Sequence, residues 1–310
     1  MFGSHLSIAG SMCNALREGE ALGLDTVQVF TKNQQQWKAP ALSEEAVSAW
    51  RAEVARLGWE GRIVSHASYL ANLASPDGAL WEKSVEMMVE EVSRCEALGI
   101  SYLVHHPGST TGGERGAGIE AIARAYREIL GRFPQGRTVL CLENTTGSGS
   151  HLGREFEELA RLRGRIVEET GSADRVGFCF DTCHAHAGGY DLSSRSKAEG
   201  VLEAFDRVCG MSSLRVVHLN DSKGKLGSKL DRHEHIGDGE LTPGTLKDSG
   251  FAGVVNRQEL RDVPMILETP KGTSEDGKSY DAVNLSRLRR LMDRPGRSIP
   301  SGSRGRASRG

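Results

Sequence analysis

Eight short runs of apolar and β-branched residues, set between longer amphipathic stretches, constrain this chain more than any other feature. The runs are 2–8 (FGSHLSI), 26–30 (TVQVF), 62–68 (RIVSHAS), 101–106 (SYLVHH), 138–143 (TVLCLE), 176–181 (VGFCFD), 214–220 (LRVVHLN) and 264–269 (PMILET). Helix-like segments fall around 11–23, 43–57, 79–98, 117–132, 154–169, 196–209, 241–249 and 282–292. Within 79–98, Leu80, Val85, Met88, Val89, Val92 and Leu98 recur at roughly helical spacing. Ser43 is placed to cap the second helix and Gly58 to stop it. Strict strand–helix alternation through eight units predicts an α/β fold, a single (β/α)8 TIM barrel over residues 1–293. Its active site is then expected at the C-terminal ends of the strands. A doubly wound sheet would call for a glycine-rich phosphate fingerprint at the first helix, and none stands there.

The bulk numbers agree with one globular barrel. At 310 residues the chain can bury one large core, and its 38% hydrophobic and 26% charged content is ordinary. It contains no apolar run of membrane-spanning length. The N-terminus MFGSHLSIAG lacks the basic and apolar regions of a signal peptide, so a cytoplasmic protein is expected. Six scattered cysteines without a CxxC pair read as reduced core residues. The net charge of −2 gives no support to a polyanionic substrate. It hides an uneven distribution, because residues 294–310 hold five Arg and no acid. That stretch is Gly-, Ser- and Arg-rich and reads as a disordered basic tail, a solvated terminus without a role of its own; the alternative is a weak, salt-dependent hold on polyanions.

Metal-competent side chains cluster at the predicted strand ends. His66, His106, Glu143 and Asp181 fall at the ends of the third to sixth strands, with His184 three residues beyond Asp181. His218 and Glu268 lie near the ends of the seventh and eighth, and Asp231 and His233 in the loop between those two. A closed barrel brings all these ends to one face. Five imidazoles and four carboxylates gathered there demand cations, since buried charge needs a partner. Mixed N/O donors suit Zn²⁺, with Mn²⁺ or Fe²⁺ as alternatives, and nine ligands exceed the needs of one or two four-coordinate ions. A bridging carboxylate makes three ions a natural count. Two choices stay open at this point. His105 and His106 are adjacent in a strand and point to opposite faces, and His233 and His235 share a face if extended.

The stretches FTKNQQQW, HASYLANLASP, HHPGS, LENTTGSGSHLG, FDTCHAHAGGYDL, HLNDSKGKLGSKLDRHEHIGDGE and ILETP resemble the successive motifs of endonuclease IV. That is the zinc-dependent apurinic/apyrimidinic (AP) endonuclease family of base excision repair. The resemblance covers about residues 2–292. It implies three zinc ions: His66 and His106 on one, Glu143 bridging to a second that also takes Asp181, His218 and Glu268, and His184, Asp231 and His233 on a third. It thereby selects His106 and His233 from the two open pairs. It further implies hydrolysis of the phosphodiester 5′ to an abasic site in duplex DNA, leaving a 3′-hydroxyl and a 5′-deoxyribose phosphate, with 3′-end phosphodiesterase activity besides. Glu143 would be the catalytic carboxylate, and the nucleophile a metal-bound hydroxide, since zinc lowers the pKa of water from 15.7 to about 7. The resemblance places the DNA-engaging residues in the loop after the second strand (Lys32, Asn33, Gln35, Trp37) and in the loop after the third (Tyr69, Leu70). Gln35 departs from the pattern, because better-known members carry Arg there. A monomer is expected on the same ground. Two rivals are a sugar isomerase or epimerase on the same barrel, and a non-catalytic damage binder.

Overall fold

A computed structural model describes residues 1–293 in a single closed barrel. Its strands are β1 (Phe2–His5), β2 (Thr26–Val29), β3 (Val64–His66), β4 (Tyr102–His105), β5 (Val139–Glu143), β6 (Val176–Asp181), β7 (Leu214–His218) and β10 (Met265–Leu267). All neighbouring pairs are parallel, and pairing of Phe2 with Met265 closes the ring. Every barrel strand lies inside a run predicted from the sequence. The two remaining strands, β8 (Asp221–Ser222) and β9 (His233–Glu234), form a small antiparallel ribbon above the mouth. The basic tail from residue 294 lies outside the described residues, and so does the reading made of it.

The helices that wrap the sheet are α1 (Cys13–Ala21), α2 (Glu44–Leu57), α3 (Gly78–Leu98), α4 (Arg115–Gly131), α5 (Phe156–Thr170), α6 (Thr182–Gly188), α7 (Arg195–Cys209), α8 (Gly250–Val255) and α9 (Tyr280–Leu291). Local chemistry sets their ends. Ser43 Oγ accepts from the Ala46 amide at 3.1 Å, and Gly58 closes α2 in the left-handed region at φ 66°. The segment 241–249 departs from expectation. It holds only a 3-10 turn at Leu246–Asp248, and the helix begins afterwards, at Gly250. Pro243 followed by Gly244 accounts for the shift, since proline disfavours helix at the residue before it and glycine adds backbone freedom. α6 was not foreseen either, because seven residues are too short for a periodic signal.

Two apolar layers result. The larger lies between sheet and helices and includes Leu16, Trp50, Met88, Tyr126, Phe178, Phe205 and Phe251. The smaller fills the barrel lumen with Val64, Val104, Cys141, Cys179, Val216 and Ile266. Gly3 completes the lumen by having no side chain, because a Cβ there would sit 2.7 Å from Ile266 Cδ1. This plug is the floor on which the site stands. All six cysteines are free thiols, in keeping with the sequence reading.

Candidate metal centre

Side chains alternate along a strand, so residues two apart point the same way. Two positions beyond the lumen residues Val64, Val104, Cys141, Cys179, Val216 and Ile266 stand His66, His106, Glu143, Asp181, His218 and Glu268. One alternation rule therefore lifts six of the nine candidates out of the apolar plug and into the mouth. His5, two beyond Gly3, and Gln28, two beyond Thr26, stand in the same tier on β1 and β2. The sequence reading gave His5 no role and passed over Gln28, although the same offset could have found both.

The other three candidates arrive from loops. Asp181 caps α6, its Oδ1 accepting from the His184 amide at 2.6 Å, which turns the first helical turn back over the lumen. Asp231 and His233 hang from the β8–β9 ribbon. That ribbon is anchored by the buried carboxylate of Asp221, which accepts from the amides of Gly237 (3.0 Å) and Leu241 (2.9 Å) and from Thr242 Oγ1 (3.0 Å).

Glu143 is at the centre of the cluster. Its Oε2 faces His66 Nε2 at 3.1 Å and His106 Nε2 at 3.3 Å, while Oε1 faces His218 Nδ1 at 2.9 Å and His184 Nδ1 at 3.3 Å. His218 Nδ1 also lies 3.2 Å from Glu268 Oε2 and 3.8 Å from Asp181 Oδ2. Toward the rim, Asp231 Oδ1 is 3.2 Å from His184 Nε2 and 3.5 Å from His233 Nε2. Potential donor atoms converge to within 4.8 Å in the sets His66–His106–Glu143, Glu143–Asp181–His218–Glu268 and Asp181–His184–His233. Cys183 approaches Asp231 and His233 in the same way, with its Sγ donating to the Arg232 carbonyl at 3.7 Å.

The outer partners of the imidazoles set which nitrogen is free. His66 Nδ1 lies 2.8 Å from the Ala67 carbonyl, His184 Nδ1 3.0 Å from that of Asn144, and His233 Nδ1 3.2 Å from that of Glu268. A ring N–H donated to each carbonyl leaves Nε2 as a bare lone pair aimed into the cluster. His218 is held the opposite way round, with Nε2 2.9 Å from Gln28 Oε1 and Nδ1 turned inward. The same Gln28 donates from Nε2 to Glu268 Oε1 at 2.6 Å. The other member of each open pair, His105 and His235, points elsewhere. His105 pairs with Tyr126 Oη at 2.6 Å behind the sheet, where burial lowers it to about 4. His235 stacks on Tyr280 with ring centres 3.9 Å apart.

Such a donor set suits cations. Against burial, which disfavours charge, Glu268, Glu143 and Asp181 raise His218 to about 9, so without a metal the carboxylates draw a proton into the cluster. Burial likewise works against ionising Asp231, yet His184, His233 and His106 bring it down to about 2. His233 Nε2 is buried without a hydrogen-bond partner, a cost that a bound cation removes.

A cavity of about 390 Å³ opens beside the cluster, lined by His66, Tyr69, Asn72, His106, His151 and Asp231. Tyr69 is 60% exposed at its rim, its ring centre 5.3 Å from that of His66 and 5.8 Å from that of His106. Leu70 is half-buried beside it, and Asn33 and Gln35 are exposed on the neighbouring loop. Trp37 is half-buried under the Lys83 ammonium, 3.9 Å above its ring. Lys32 does not join them. Its side chain is 1% exposed and turned inward between Glu90 (3.6 Å) and Glu91 (3.8 Å).

A parallel barrel with His and carboxylate side chains at the C-terminal mouth defines the class, and the family model described as xylose isomerase-like TIM barrel matches residues 16–291. The curated "Probable endonuclease 4" of Geobacter sp. (strain M21) is 41% identical over 293 residues, covering 94% of this chain and 99% of that protein. The crystal structure of endonuclease IV from Thermus thermophilus superposes with a TM-score of 0.79 at 38% identity, over 94% of this chain and 98% of that one. A D-tagatose 3-epimerase-like protein also superposes, with a TM-score of 0.67, but at 21% identity it shares the fold alone. The chain belongs to the endonuclease IV family, and with it to the metal-dependent deoxyribonucleases of DNA repair.

Proposed function

We propose that this protein hydrolyses the phosphodiester 5′ to an abasic site in duplex DNA, through three zinc ions held by the nine residues at the barrel mouth. His66, His106 and Glu143 would hold one ion. Glu143, Asp181, His218 and Glu268 would hold a second, and His184, Asp231 and His233 a third. The observation that carries this reading is the orientation of the rings: His66, His184, His218 and His233 each have one nitrogen facing an outer acceptor and the other turned toward carboxylates. When bound, the ions supply Lewis acidity to the phosphate and lower the pKa of water that attacks it. Glu143 offers one oxygen to each of two neighbouring sets, the geometry a bridging carboxylate needs. Gln28 fixes His218 and Glu268 together, and Asp181 holds His184 through its backbone. No side chain is required as nucleophile.

Tyr69, above His66 and His106, would wedge into the duplex from the minor groove, and Gln35 would fill the vacated stack. A sugar left without its base turns out at least cost, having no stack or pair to break. The same centre, open to a 3′-terminal phosphodiester, would remove 3′-blocking fragments. No helix among the described residues is long and apolar enough to cross a membrane.

Purified protein incubated with a duplex carrying one abasic site tests the proposal. A nick ending in a 3′-hydroxyl, abolished by prolonged chelation and restored by zinc, is the expected result. Binding without cleavage, or cleavage indifferent to the lesion, overturns it.

A further inference from the structure

The two loops proposed to engage DNA, residues 30–40 after β2 and 67–77 after β3, meet above a buried carboxylate that the chemistry does not use. Glu91 on α3 is 1% exposed. Its Oε2 accepts from Thr31 Oγ1 at 2.9 Å and its Oε1 lies 3.8 Å from Lys32 Nζ; burial raises its carboxyl, while Lys32, Thr31 and the Ser68 backbone pull it down. Lys32 Nζ continues to the Trp37 carbonyl at 3.3 Å. Ser68 Oγ donates to the Gln34 carbonyl at 2.5 Å, a direct tie between the loops. Arg94, one turn along α3, donates from Nε to the Thr31 carbonyl at 3.1 Å and from Nη1 to the Pro40 carbonyl at 2.9 Å. Tyr69 follows Ser68 and Gln35 follows Gln34, so each proposed inserting side chain stands one residue from an atom of this network.

We propose that Glu91 and Lys32 are a positioning pair that locks the two loops into one recognition surface for damaged duplex. The proposal rests on the function given above. A buried ion pair is weak evidence for a role in stability, since well-packed apolar replacements are often neutral or better. The geometry supplies another reason for it. A carboxylate that accepts from Thr31, an ammonium that crosses to the Trp37 carbonyl and the Ser68 hydroxyl on the Gln34 carbonyl together fix how far apart Gln35 and Tyr69 stand.

The test is the double variant Lys32→Met/Glu91→Leu, which removes the pair without leaving a lone buried charge. Thermal midpoint, zinc content and turnover of bis(p-nitrophenyl) phosphate should match the wild type. KM for the abasic duplex should rise about tenfold with kcat within about twofold. Unchanged KM in the folded, zinc-loaded variant overturns the proposal, and so does an equal loss on the small phosphodiester, which would place the pair under the metal centre. Should the double variant not fold, Thr31→Val removes a single bond to Glu91 and is expected to raise KM about threefold; no rise refutes the pairing. Amide hydrogen exchange reads the coupling apart from catalysis. Residues 33–37 and 69–73 should lose protection together in the double variant, and unaltered exchange overturns the pair even if the wild type proves to cleave nothing.

Discussion

Gln28 offers the sharpest single-residue test, because it touches two proposed ligands of one ion and no substrate. Its Oε1 is 2.9 Å from His218 Nε2 and its Nε2 donates to Glu268 Oε1 at 2.6 Å, all within a buried tier. Gln28→Leu keeps the volume and removes both bonds, together with a third between Gln28 Nε2 and His5 Nδ1 at 2.9 Å. The His218 Nε2–H is then left without an acceptor, at about 1–3 kcal/mol. Loss of an outer partner weakens metal binding by about 10–100-fold, which is about 1.4–2.7 kcal/mol and agrees with one or two lost bonds. Competition for zinc against a chromophoric chelator reads the effect. The variant should surrender one ion at a chelator concentration about 10–100-fold lower than the wild type requires. Zinc retention equal to wild type would refute the reasoning, because it would mean that Gln28 does not orient His218 and Glu268.

Other expectations follow from the same geometry. Gln35→Arg adds a cation to an exposed loop and should steepen the salt dependence of duplex binding by about 0.9 in log–log slope; an unchanged slope would remove Gln35 from the interface. Tyr69→Ala, at an exposed rim position, should shift stability by no more than about 0.5 kcal/mol, yet lower cleavage of abasic duplex by at least about tenfold; cleavage that survives intact would rule out the wedge. Burial alone would raise Asp191, but Lys197 at 2.8 Å and Ser193 bring it to about 2. A folded pKa below the unfolded value means stability present above about pH 4 and lost toward pH 2, so the urea-midpoint advantage of wild type over Asp191→Asn should shrink across that window.

Much of this was legible because alternation along strands is a local signal. His66, Glu143, Asp181 and His218 sit at fixed offsets from apolar lumen residues, and the strand runs were found wherever the barrel has a strand. The resemblance placed Lys32 among the DNA-engaging residues, and a loop motif does not show that the side chain is buried. Its burial depends on Glu90 and Glu91, which lie more than one strand–helix unit away along the chain. Gln28 and His5 were missed because neither is chemically conspicuous until β1, β2 and β10 meet at the closure of the barrel. The helix placed at 241–249 failed for a local reason that was in view: the Pro243–Gly244 pair.

The central claim is that nine side chains at one mouth hold three ions. Anomalous diffraction at the zinc edge on zinc-loaded crystals tests it most directly. The account predicts three peaks, with Glu143 between two of them and the third among His184, Asp231 and His233. One or two peaks at full occupancy, or a peak beside Cys183 in place of His184, would contradict it.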